Sequence, residues 1–269
     1  MAATVKTNEE IRTLREGGRK LAEILEKVVA AARPGISTFE LDRLAEELIF
    51  ASGGKPSFKG YQGKRDPRPY PCSMCISVND EIVHAIPKKD KILKEGDVVG
   101  LDIGMLWPSE ALAKEAGGRR GLFTDMAVTI GIGKISPEAE RLLIATKEAL
   151  EIGIKAVKPG ARVGDIGYAV EKRLEKEGLG IIRNLAGHGV GYEVHEEPLV
   201  PNFGEPGTGP ELKENMVIAL EPMATLGDWQ VKLANDGWTF RTRDGSLGAH
   251  FEHTLAVTKD GAEVLTVVS

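Results

Sequence analysis

A chain of 269 residues with 35 Lys and Arg against 40 Asp and Glu carries a net charge of −5, which gives no electrostatic reason to expect nucleic acid or an anionic membrane as partner. No apolar run approaches the roughly eighteen residues of a membrane span, and the N-terminus has no apolar core of a signal peptide. Two cysteines are too few for a disulfide framework, so a reducing, cytoplasmic setting is expected.

Thr7 and Glu10 have capping-box spacing, and Ile11, Leu14, Leu21, Ile24, Leu25 and Val28 form a helical stripe that stops at Arg33-Pro34-Gly35. Gly17 and Gly18 each weaken that helix by about 1 kcal/mol against Ala, which predicts a close neighbour there. Ser37 with Glu40 opens a second helix carrying Leu41, Leu44, Leu48 and Ile49 and ending at Gly53-Gly54. Residues 62–71, rich in Pro and charge, read as an exposed loop. A strand is expected from Met74 to His84, and another within Glu95–Met105. The link from 105 to 121, Gly-rich and basic at Arg119-Arg120, reads as a surface excursion before a strand over Phe123–Ile130.

The plan then repeats. Ser136-Pro137 is an N-cap with Pro at the first helical position, and a stripe of Leu142, Leu143, Ala149, Leu150 and Ile154 runs to Lys158-Pro159-Gly160. A further helix through Ile166, Ala169, Val170 and Leu174 ends at Gly178. Leu93-Lys94 precedes an apolar strand delivering Asp102, and Leu212-Lys213 precedes one delivering Glu221. Pro34 and Pro159 are 125 positions apart (159 − 34) and the two carboxylates 119 apart (221 − 102), which indicates an internal duplication of helix–helix–strand units. The expected organisation is one domain over 1–269 with halves of roughly 1–130 and 131–269.

A buried carboxylate is costly unless paired or bound to metal, and strand pairing would bring Asp125 beside Asp102 and Glu252 beside Glu221. His188, flanked by Gly187 and Gly189, completes an oxygen-rich set able to hold two divalent ions about 3.5–4 Å apart. Such ligands favour Mn, Fe, Co or Zn without choosing among them. Asp125 alone could be a turn residue, Glu252 an exposed cross-strand charge and His188 a structural histidine. His84 and His195 could each donate to a developing oxyanion, hold a substrate amide, or be structural. His253 is expected to face away from Glu252 by strand alternation, with His250 open. Cys72-Ser73-Met74-Cys75 allows a redox pair, half a zinc site, or a Cys75 side chain lining an apolar pocket. Gly-x-Ser-x-Gly and phosphate-binding loops are absent.

Met74-Cys75-Ile76-Ser77-Val78-Asn79, His84-Ala85-Ile86-Pro87, Gly187-His188-Gly189-Val190-Gly191, His195-Glu196-Glu197-Pro198, Leu220-Glu221-Pro222 and Phe251-Glu252-His253-Thr254 together resemble the type I methionine aminopeptidases, in order along nearly the whole chain. The resemblance implies an α+β pita-bread fold with two pseudo-symmetric halves and a curved antiparallel sheet around a dinuclear metal site. It makes Asp102, Asp125, His188, Glu221 and Glu252 the metal ligands, with Glu221 also the general base. It places His84 and His195 on the scissile amide, and Cys75, Tyr61 and Trp238 around the methionine side chain. The implied activity is removal of initiator methionine before a small second residue. A proline-specific aminopeptidase and a non-catalytic nascent-chain-binding protein of the same fold are the alternatives. Nascent N-termini at the ribosome are the implied partners, and a monomer the expected assembly. Three departures stand out: the long Asp102–Asp125 separation, the insertion at 62–72 beside the pocket, and Val194 where an aromatic residue is common before the histidine. Only 31 positions (252 − 221) part Glu221 from Glu252, too few for the helical insertion of type II enzymes, and the stretch before Pro34 is too short for the extra N-terminal domain of prolidase-like relatives.

Overall fold

A computed structural model describes residues 3–63, 68–109 and 121–268. Among the described residues four helices, α1 (Asn8–Ala31), α2 (Thr38–Ser52), α3 (Pro137–Ala156) and α4 (Val163–Lys176), come in two pairs, each followed by strands. In the first half these are β1 (Lys55–Pro56), β2 (Met74–Val78), β3 (Glu81–Val83), β4 (Val98–Pro108) and β5 (Gly121–Gly131). The second half adds β6 (Gly180–Ile181), β7 (Ala186–Gly189), β8 (Glu196–Pro201), β9 (Val217–Leu220), β10 (Met223–Thr225), β11 (Val231–Leu233), β12 (Phe240–Thr242), β13 (Gly248–His250), β14 (Glu252–Thr258) and β15 (Gly261–Val264). The strand pairs are all antiparallel and assemble around the order β1-β4-β5-β14-β9-β7-β8, the pita-bread arrangement.

The helix starts follow the caps. Thr7 and Ser37 accept from the amides of Glu10 and Glu40, whose carboxylates return to the cap amides, and Ser136 accepts from Ala139 N. Gly53 ends α2 in the left-handed region. Gly17 and Gly18 do have close neighbours. A Cβ on Gly17 would lie 2.6 Å from Trp107 Cβ, and one on Gly18 would lie 2.4 Å from Leu265 O.

Each helix pair covers the sheet of its own half. Leu21, Leu25, Leu41 and Ile49 pack with Leu101, Ile103 and Met105, while Leu142, Ile166, Val170 and Leu174 pack with Ile218 and Leu220. Successive strand residues point to opposite faces. Burying Leu101 and Ile103 under helices therefore turns Asp102 to the other face, as burying Leu220 does for Glu221.

Three expectations need correction. The strand begun at Met74 does not reach His84: Asn79 adopts φ 60 and turns the chain with Asp80, and β3 pairs instead with β12 in a separate small sheet. Asn tolerates this left-handed conformation, so the turn is encoded locally. The excursion after residue 105 starts later than expected. The β4–β5 ladder runs without interruption from Val98↔Gly131 to Pro108↔Gly121, and Trp107 is held against α1. Arg119 and Arg120 lie outside the described residues. Tyr70, assigned to an exposed loop, is buried, and its hydroxyl donates toward the carbonyls of Met74 and Ala85, both at 3.0 Å. Among the described residues, no helix is long and apolar enough to cross a membrane.

Candidate metal centre

The register places the candidate ligands on two adjacent rungs of one sheet face. On the first rung Asp102 pairs with Ala127, which pairs on its other side with Glu252, and Glu221 follows one residue after the Leu220–His253 pair. On the second, Gly104 pairs with Asp125, and His188 pairs with Ala219, itself opposite Thr254. Residues directly opposed across antiparallel strands share a face, and so do residues two apart. Four strands and the end of a fifth segment thus aim carboxylates and one imidazole at a single point.

These side chains are buried: Asp102, Asp125, His188, Glu221 and Glu252 are 3–9% exposed. Oxygens or nitrogens of Asp125, His188 and Glu252 lie within 4.8 Å of one another. His188 Nε2 is 3.7 Å from Asp125 Oδ2 and 3.6 Å from Glu221 Oε1. Its Nδ1 is 2.9 Å from the carbonyl of Gly189, an acceptor only, so Nδ1 carries the proton and donates. In the neutral ring the Nε2 lone pair then faces carboxylate oxygens, an arrangement that is repulsive without a cation and characteristic of metal-ligating histidines. Gly189 makes this possible, since a Cβ there would lie 2.3 Å from Glu197 O on the adjacent strand.

Burial dominates the electrostatics. Desolvation raises Asp102 to about 7, opposed by nearby His250 and reinforced by Asp125 and Glu221. It raises Glu221 to about 8, opposed by His188. Asp125 also moves up through burial, offset by His188 and by Thr254, whose hydroxyl donates to the Asp125 carboxylate at 3.1 Å. Glu252 lies well above the ordinary carboxylate range through burial and then Asp125, Glu221 and Asp102. Four crowded carboxylates that resist ionising without positive charge, together with an imidazole lone pair directed among them, fit one or more divalent cations.

The same side chains border a pocket whose empty space, counted out into open solvent, is about 550 Å³. Tyr61, Cys75 and Trp238 stand in its wall, as do His84 and His195. His195 Nδ1 shares a 2.7 Å hydrogen bond with Tyr61 Oη, and its ring packs edge-on against His188 at 4.4 Å between centroids. Partial desolvation, then His188 and His84, lower the His195 pKa. Burial first, then His250 and His188, take His84 down to about 4. His84 has φ 59, a conformation that costs a non-glycine residue about 1 kcal/mol or more and recurs where a side chain must be aimed. An outer chamber shares His84, His188, His195 and Glu221 with the cavity and opens toward Glu197 and the exposed Leu199.

Phe58, Tyr70, Val83 and His250 also line the cavity; of these the sequence places only His250 near the centre, with its direction open. Alternation could have found it, because residue 250 shares the parity of Glu252. His253 points the other way, its Nδ1 3.0 Å from Thr266 Oγ1. Cys72 and Cys75 are both free. Desolvation pushes Cys72 up to about 12 and Cys75 well above the ordinary thiol range, which disfavours the thiolate that redox exchange or zinc binding needs. Cys75 pairs with Asp102 across β2 and β4 and lines the cavity.

A sequence model of metallopeptidase family M24 matches residues 12–259. The chain is 43% identical to a methionine aminopeptidase of Aquifex aeolicus over 270 residues, covering 99% of each chain. It is 43% identical to methionine aminopeptidase 1 of Bacillus subtilis over 263 residues, covering 98% of each. The crystal structure of a methionine aminopeptidase from Thermotoga maritima superposes with a TM-score of 0.90 at 40% identity, covering 98% of this chain and 99% of that one.

Proposed function

The chain belongs to metallopeptidase family M24, and we propose that its buried centre releases the initiator methionine from nascent proteins and peptides whose second residue is small. The activity is that of a methionine aminopeptidase, a metal-dependent hydrolase, as in relatives matching the chain nearly end to end. The observation that carries the reading is the meeting, on two rungs of one sheet, of five candidate ligands beside a cavity with an apolar wall.

In this reading Asp102, Asp125, His188, Glu221 and Glu252 would hold two divalent ions, drawn from Co, Mn, Fe or Zn. Bound there, such ions supply Lewis acidity and lower the pKa of water. Glu221, whose carboxylate the bound ions would keep ionised against the burial that raises its pKa in their absence, would take the proton from the attacking water. Burial and a neighbouring carboxylate also hold Tyr61 in the phenol form. In the tautomer in which Tyr61 donates to His195 Nδ1, His195 Nε2 carries a proton able to meet the oxygen of the tetrahedral intermediate. His84 holds the scissile amide from the other side of the shared mouth. Cys75, Tyr61 and Trp238 enclose the methionine side chain, and the outer chamber receives the following residues. The two halves, 1–130 and 131–269, act as one catalytic unit. It works as a monomer on chains emerging at the ribosome, in the cytoplasm, where both thiols stay reduced.

A proline-specific aminopeptidase and a non-catalytic binding protein are disfavoured by the activity named for the full-length relatives. Turnover of Met-Ala and Ala-Pro peptides after chelation and metal restoration separates all three. Wild-type protein should cleave Met-Ala, and Glu221→Ala should cleave neither. Wild-type-like turnover in Glu221→Ala overturns the mechanism, and preference for Ala-Pro overturns the substrate.

A further inference from the structure

One imidazole at the centre has no role in the scheme above. His250 ends β13, is 3% exposed, and its Nε2 has no hydrogen-bond partner among the described residues. That atom lies 3.4 Å from Glu221 Oε2 and 3.9 Å from Glu252 Oε2. His188 Nε2, on the other side of Glu221, lies 3.6 Å from Oε1 of the same carboxylate and 3.7 Å from Asp125 Oδ2. Glu221 thus has one imidazole nitrogen off each oxygen, at nearly equal separations.

Resting on the metal-dependent reading, we propose that His250 is a further metal ligand, coordinating through Nε2 across Glu221 from His188. A hydrogen-bond donor would settle on one oxygen at about 2.7–2.9 Å. Atoms that share a cation through bonds of about 2.0–2.2 Å lie roughly 3 Å apart at right angles and roughly 4 Å apart when opposed. Both distances from His250 fall in the second range, and both lead to carboxylates already in the candidate set. The backbone of His250 is fixed for this task. Its amide donates to Thr129 Oγ1 at 2.9 Å, and the Thr129 hydroxyl donates back to its carbonyl at 2.6 Å, tying β13 to β5. An unpaired buried polar atom costs about 1–3 kcal/mol, and coordination removes that cost. A second imidazole also changes what the centre prefers. Imidazole suits Zn and Fe, and the general affinity order places Co above Mn, whereas an all-carboxylate position suits Mn and Mg. His250 should therefore bias one of the ions toward Co or Zn over Mn.

The test uses full-length wild type, His250→Ala and His250→Gln, stripped by chelation and titrated with Co(II) and Mn(II) by calorimetry, with the Co(II) visible absorption recorded in parallel. Gln keeps a hydrogen-bonding side chain but is a poor ligand, and its circular dichroism and thermal melt report folding. Both variants should lose at least about tenfold in Co(II) affinity for one ion, lose less for Mn(II), and show a changed visible spectrum. Unchanged Co(II) affinity and spectrum in His250→Ala overturn the proposal. So does a His250→Gln protein that keeps wild-type values while His250→Ala loses them, since that marks a hydrogen-bond donor. Wild-type protein that takes up no divalent ion overturns the metal-dependent reading as well, whereas an active wild type with unaffected variants overturns the role of His250 alone.

Discussion

Lys6 offers a quantitative test of how the His195 segment is held. Its Nζ is fully buried and 2.8 Å from Glu196 Oε2, whose side chain is 6% exposed. Thr4 bonds to both groups, Lys6 Nζ sits 3.7 Å from the centroid of the Tyr192 ring, and Glu193 N donates to Glu196 Oε1 at 3.1 Å. At 2.8 Å and an effective dielectric constant of about 20, the attraction is about 6 kcal/mol before desolvation is subtracted. Removing one partner leaves the other charge buried, which costs about 3–5 kcal/mol. Lys6→Met and Glu196→Gln should each lower stability by about that much in urea unfolding, with a melting point drop of roughly 6–12 °C for Lys6→Met. The double variant should lose less than the sum, with a coupling of about 2 kcal/mol. Glu196 adjoins His195, so Lys6→Met should also lower kcat on Met-Ala more than it raises KM. A Lys6→Met protein within about 1 kcal/mol of wild type, or strict additivity in the double variant, would refute this account.

Stability of the metal-free protein should fall as pH rises from about 6.5 to about 8. Asp102 at about 7 and Glu221 at about 8 hold protons in the native state that the unfolded chain has released above about 4, while His84, His195, His250 and His253, lowered by burial, act in the opposite sense only below about 6.5, so above that pH the unfolded state binds fewer protons. Carboxyls lowered by hydrogen bonds, such as Asp165 and Asp244, titrate below it and do not reverse the slope. Melting curves in chelator should show the decline and divalent metal should remove it; a melting point that rises to pH 8 in chelator contradicts the burial argument. Gly189→Ala places a Cβ 2.3 Å from the fixed carbonyl oxygen of Glu197. Forcing β7 from β8 should cost about 1–3 kcal/mol and, by moving His188, weaken metal binding about tenfold or more. Urea unfolding and calorimetry check this, and unchanged metal affinity would show that the close approach is not what positions His188.

Much of the architecture was legible because the local signals agree. Thr7, Ser37 and Ser136 carry their caps in sequence, and each acidic strand shows its carboxylate against a run of aliphatic neighbours. What stayed hidden depends on partners distant in the chain. Trp107 belongs to a strand because α1 and β5 hold it there, and no periodicity in residues 105–108 announces that. Tyr70 sits in a stretch of Pro and Arg and is drawn inward by two carbonyls that only the fold supplies. Asp42 looks like one more polar helix residue, yet its carboxylate accepts from the amides of Ser73 and Met74 at 2.8 and 2.9 Å and anchors the segment leading to Cys75.

The length of the β4–β5 hairpin bears on how such a centre tolerates change. Asp102 and Asp125 are set by rungs counted from Val98↔Gly131, while the extra chain joins beyond Pro108↔Gly121, at the far end. Chain length beyond that rung leaves the pairing of either carboxylate unchanged. A single residue inserted between 98 and 102 would instead turn Asp102 toward the helices. The register of the ligands is therefore independent of how many residues follow the Pro108↔Gly121 rung, and the wide spacing of the two aspartates is compatible with an intact centre.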